Sequence, residues 1–114
     1  MVIRLSKGHR RTKILIEKRL GYEVPQGLIE PFFDYADKGI EPVNIDRKRF
    51  DEVVSAFRSI AWDYNLWVKD FKEGLLFLSD FDDEDNPTKN LALRAHKSAM
   101  GETIGYKNFK KRWL

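Results

Sequence analysis

The sequence predicts a mainly α fold, a small helical domain built around one long amphipathic helix, with short flanking helices and room for one short strand. Two observations carry this. Between Ile45 and Leu75, the residues Phe50, Val53, Val54, Phe57, Ile60, Ala61, Tyr64, Trp67, Val68 and Phe71 recur at steps of three and four. That spacing lays them along one face of a helix and leaves Arg49, Asp51, Glu52, Arg58, Asp63, Lys69, Asp70 and Lys72 around the other. The second observation is punctuation: Gly21, Gly39, Gly74 and Gly101 each follow a periodic stretch, where a helix needs a stop. With 114 residues, of which 34% are charged, the chain is expected to form a single domain over residues 1–114, with basic ends at 1–8 and 102–114.

In chain order, Ser6 offers a cap to a helix from about residue 9 to Leu20, closed by Gly21. Leu15, Ile16 and Leu20, with Ile14 at the edge, form a narrow apolar stripe, and His9, Arg10, Arg11, Lys13, Lys18 and Arg19 cover much of the rest. Tyr22 to Gly27 reads as a turn. A second helix follows through Leu28, Ile29, Phe32, Phe33, Tyr35 and Ala36, with Pro31 in its first turn and Gly39 at its end. Asn44 or Asp46 can cap the long helix, whose continuity past Asn65 the pattern leaves open. Gly74 ends or bends it. The short run Leu75 to Leu78 has no readable period and fits a last helical turn, a buried strand or a second packing face. The stretch SDFDDEDNP is an exposed acidic loop, since Asp80, Asp82, Asp83, Glu84 and Asp85 repel one another. Asn86 and Pro87 open a final helix whose main apolar residues are Leu91, Leu93, Ala95, Ala99 and Met100. The segment from Glu102 either docks through Ile104, Tyr106, Phe109, Trp113 and Leu114 or frays as a basic tail.

Charge is distributed in blocks. Residues 1–20 and 86–114 each carry a net +6, whereas 21–60 carry −3 and 61–85 carry −6. Basic ends around an acidic centre suit contact with a polyanion, or mutual neutralisation within the fold or an oligomer. The candidate phosphate contacts are Arg10, Arg11, Lys13, Lys18 and Arg19, with Lys107, Lys110, Lys111 and Arg112 at the other end. Trp62, Tyr64 and Trp67 cluster on the long helix. An aromatic cluster can stack bases, but helical spacing favours core packing, and Trp62, off the main stripe, is the best candidate for an interface.

Enzymatic signals are weak. The absence of cysteine excludes disulfides and thiolate zinc sites. Asp80, Asp82 and Glu84 share the opening spacing of an EF-hand loop, but Asp85 occupies the glycine position and Leu91 the position of the bidentate Glu, so no metal is expected. His9 and His96 have polar sequence neighbours and read as surface residues. Neither a nucleophile elbow nor a phosphate-binding glycine loop is present. The triplets at Asp46-Arg47-Lys48 and Asp70-Phe71-Lys72 arise easily by chance in so charged a chain. A non-enzyme without cofactor is expected. With no leader-like apolar segment and no run approaching a membrane span, it is expected in the cytoplasm, or the host cytoplasm if viral.

The stretches from Lys18 to Gly39 and from Asn86 to Met100 resemble helix-turn segments of the small subunit of phage terminases, over about a third of the chain. Those are short helical DNA-recognition proteins that form rings and hand viral DNA to a motor. The resemblance implies the basic N-terminal helix as the DNA contact and the long helix as the assembly element. The expected function is therefore DNA binding and assembly, with double-stranded DNA and a second copy as partners. The alternative is a protein-binding adaptor or inhibitor that uses the aromatic helix face and the acidic loop.

Overall fold

The computed structural model describes Leu5 and residues 7–101. They form helices α1 (Lys7–Leu20), α2 (Gln26–Lys38), α3 (Arg47–Glu73) and α4 (Asn86–Met100), with a 3-10 turn at Leu78–Phe81. The chain divides into two compact units, Met1–Phe57 and Arg58–Leu114. The long helix α3 runs through the division without a break at Asn65.

In the first unit, α1, α2 and the first half of α3 bury Ile16, Val24, Ile29, Phe32, Phe50 and Val53 almost completely. Each large side chain so buried contributes roughly 1.5–3 kcal/mol. Aromatic edges set the packing: Phe32 meets Phe57 at 5.3 Å and Tyr35 meets Phe50 at 5.7 Å between ring centroids. The turn after α1 is held from α1 itself. Gly21, at φ 81°, donates its amide to the Glu17 carbonyl at 2.8 Å, and the Val24 amide donates to the Glu17 carboxylate at 2.7 Å. These two bonds carry the chain from α1 to the buried Val24.

Helix α2 starts two residues earlier than the pattern suggests. Pro25 is its N-cap, with its carbonyl accepting from the amides of Leu28 and Ile29, so Pro31 falls inside the helix instead of in its first turn. Gly39, at φ 72°, closes it and donates to the Tyr35 carbonyl. Of the two candidate caps for α3, Asp46 is the one used, its carboxylate accepting from the Arg49 amide at 3.2 Å, while Asn44 takes a left-handed backbone. Arg47 pairs with Glu41 and Asp51 at 3.8 and 3.3 Å, but these exposed pairs contribute at most about 1 kcal/mol each. Burial, not ion pairing, holds this unit.

The second unit is built on Val68, Phe71, Phe81, Ala92 and Ala95, with Tyr64, Trp67, Leu76 and Ala99 packed against them. Gly74, at φ 74°, ends α3, and the Leu75 amide returns to the Asp70 carbonyl at 2.9 Å. The run from Leu75 is not a strand; no strand occurs among the described residues. Leu75, Phe77 and Leu78 are exposed, and the chain turns back through Phe81, which enters the core edge-on to Trp67 at 4.9 Å. The acidic loop is thus anchored at its middle. Two of its acids serve as caps, Asp80 accepting from the Phe77 amide and Asp85 from the Thr88 amide. On α4 the buried residues are Ala92, Ala95 and Ser98, whereas Leu93 and Met100, two of its main apolar residues, are exposed. The helix buries its small side chains most fully, and these two lie outside.

Candidate nucleic-acid interface

The five candidate phosphate contacts on α1 do not share one face. At 100° per residue, measured from the buried Ile16, Arg10, Arg11 and Lys18 lie about 120°, 140° and 160° round the helix, while Lys13 and Arg19 lie only about 60° to either side. Arg10, Lys18 and Arg19 are exposed and Arg11 and Lys13 partly so, with the exposed Ile14 between Arg10 and Lys18. An outward face of three cations around one apolar residue therefore runs the length of α1. Lys18 and Arg19 occupy its last turn, where their charge also complements the negative end of the helix dipole.

What fixes this face is the opposite side of the helix. Ile16 is fully buried, and His9 stacks on Phe33 of α2 with centroids 4.0 Å apart and planes within 12°. His9 Nε2 lies 2.9 Å from Asp37 Oδ2. This histidine, expected at the surface, keeps about a third of its side chain exposed there and also clamps α1 to α2. Tyr22, just past α1, donates its phenol hydrogen bond to Glu52 of α3, with the Arg49 guanidinium 5.7 Å from its ring. Contacts at both ends of α1 hold its outward face in register.

Lys107, Lys110, Lys111 and Arg112 lie outside the described residues, as does the Ser6 cap. The three aromatic candidates separate. Tyr64 bonds Ser98 at 2.6 Å, and Trp67 packs on Phe81 inside the second unit. Trp62 is 58% exposed, with the exposed Leu66 one turn on. No match to a family model, a curated protein or a solved structure was found. Among the described residues no group of three or more His, Asp or Glu is placed to hold a metal ion, and no helix is long and apolar enough to cross a membrane. His96 lies edge-on to Phe71, with 5.2 Å between ring centroids.

The features missed from sequence are the His9 clamp and the phenol bond of Tyr22. Both link residues about thirty positions apart, so neither leaves a local period. The aromatic face of α3, on which an adaptor reading would rely, is mostly buried: Phe50, Val53, Ile60, Val68 and Phe71 are all inside.

Proposed function

We propose that this protein is a non-enzymatic nucleic-acid-binding and assembly protein that meets the phosphate backbone of double-stranded DNA with the outward face of α1. The observation that carries the reading is the grouping of Arg10, Arg11 and Lys18 opposite the buried Ile16. Cations displayed on a helix held by packing on its other side can neutralise phosphates without first being ordered, so counterion release is offset by little loss of freedom. Lys13 and Arg19 flank the contact, and Lys107, Lys110, Lys111 and Arg112 add to it. In its most specific form the reading is a part in phage DNA packaging, as the resemblance to small terminase subunits implies. Trp62, exposed on α3, then serves assembly.

The test is fluorescence anisotropy of labelled double-stranded DNA at several salt concentrations, for the natural chain and for a variant carrying Arg10→Ala, Arg11→Ala and Lys18→Ala. If each residue neutralises one phosphate, the slope of log affinity against log salt falls in magnitude by about 2.7 in the variant. An absence of binding at low salt, or a variant with an unchanged slope, refutes the reading.

A further inference from the structure

We propose that the outward face of α4 is a second contact for the phosphate backbone of double-stranded DNA, made by Lys89, Arg94 and Lys97. The face repeats the one on α1, position for position. On α1, counted from the buried Ile16, Arg10 stands six residues back, Ile14 two back and Lys18 two on; on α4, counted from the buried Ala95, Lys89, Leu93 and Lys97 occupy the same places. At 100° per residue, each trio lies about 120° to 160° round its helix from the residue that anchors it. All six side chains are exposed, Ile14 by 47% and Leu93 by 41%. Each of the two units therefore carries one helix that turns a cation, an apolar residue and a second cation outward in a line. On α4, Arg94 adds a third cation about 100° from Ala95.

Charge identifies the partner as an anion. Helix α4 contains no acid, whereas α3 mixes both signs. Among the described residues Lys89, Arg94 and Lys97 make no ion pair, so their charge is available to a ligand. The acids that precede α4 act only on its start. Along the axis Lys89 is about 6 Å from the capping Asp85, but Arg94 and Lys97 are about 14 and 18 Å away, beyond the screening length of about 8 Å at physiological salt. From Lys89 to Lys97 the face runs about 12 Å, a length over which a duplex carries about seven phosphates. An anionic bilayer also offers phosphates, but Leu93 and Met100 bring far less apolar surface than one myristoyl chain, which alone anchors only marginally. The inference takes its partner from the nucleic-acid reading and rests on different residues.

The test is the anisotropy titration of labelled duplex DNA across salt, in full-length chain that carries Arg10→Ala, Arg11→Ala and Lys18→Ala, with and without Lys89→Ala, Arg94→Ala and Lys97→Ala. The three α4 positions are exposed and helical, where alanine has the highest propensity, so the thermal midpoint is maintained. The α1 variant keeps salt-sensitive binding, and the α4 substitutions lower the magnitude of its slope by about 1.8 to 2.7, two to three phosphates at about 0.9 each. Lys89→Arg with Lys97→Arg, added to the α1 variant instead, leaves the slope as it was, because the charge is retained. An α1 variant that no longer binds at low salt overturns the inference, as does a slope that the α4 substitutions leave unchanged. The reading of α1 is decided separately, by the difference between the natural chain and the α1 variant. If the α4 substitutions release the protein from sedimented phosphatidylserine vesicles and leave the DNA slope unchanged, the face belongs to a membrane surface and the inference is likewise overturned.

Discussion

Tyr22 donates its phenol hydrogen bond to the carboxylate of Glu52, joining the turn after α1 to α3 across thirty residues of sequence. The bond to Glu52 raises the Tyr22 pKa above its ordinary value near 10, with desolvation and the negative charge of Glu52 acting the same way and Arg49 opposing. A group whose folded pKa is raised stabilises the fold below its unfolded pKa and loses that contribution as pH rises through the folded value. The contribution of Tyr22 is therefore fully present at neutral pH and begins to fall above about pH 10, as the pH rises toward the raised folded value. Urea midpoints measured at pH 8 and pH 11 check this. The natural chain should exceed Tyr22→Phe at pH 8, and the gap should be narrower at pH 11; a gap that does not narrow contradicts the linkage.

In the second unit the Tyr64 and Ser98 hydroxyls meet at 2.6 Å, with Ser98 only 6% exposed. Tyr64→Phe strands the Ser98 hydroxyl away from water and should cost about 1–3 kcal/mol. Ser98→Ala should cost less, because the half-buried Tyr64 oxygen can find water. The double variant should then be less destabilised than the two single changes together, with a coupling of at least about 0.5 kcal/mol by denaturant titration. Additive effects would mean that the two hydroxyls do not act as a pair.

Phe81 fastens the acidic segment. It touches both Trp67 and Phe71, with centroids 4.9 and 6.3 Å away, and is 8% exposed. Phe81→Ala should cost about 3–5 kcal/mol, the usual range for an aromatic removed from a core. Trp67 fluorescence, read in a Trp62→Phe, Trp113→Phe background, should shift to longer wavelength as its ring loses that cover. A loss under about 1 kcal/mol would show that the segment is held by its caps at Asp80 and Asp85 instead.

These residues also show where the sequence is readable. The period of α3 and the glycine stops were visible because each acts within a few residues, and the structure follows them at Gly21, Gly39 and Gly74. The side on which α4 packs was not. Counting large apolar residues selects Leu93 and Met100, but the buried residues are Ala92, Ala95 and Ser98, whose small size is informative only once a neighbour is known. Likewise the basic residues of α1 were evident as a composition, and their division into an outward trio and two flanking cations needed the position of Ile16. Phe81, embedded among acids, carries no period at all.

Two glycines in open space should respond oppositely to the same substitution. Around Gly21 and Gly27 alike, a Cβ meets nothing within 4 Å, so sterics with neighbours do not decide. Backbone conformation does. Gly21 sits at φ +81°, where an L side chain collides with its own backbone, and Gly21→Ala should destabilise by about 1–2 kcal/mol. Gly27 lies inside α2 without a positive φ, and there alanine lowers the entropy of the unfolded chain and favours the helix, so Gly27→Ala should stabilise by about 0.5 kcal/mol. Thermal midpoints in opposite directions are the expected result. A neutral Gly21→Ala would show that the turn relaxes to another conformation, in which case the Glu17 bond to Val24 would no longer be required to hold it, and Glu17→Ala would be equally neutral.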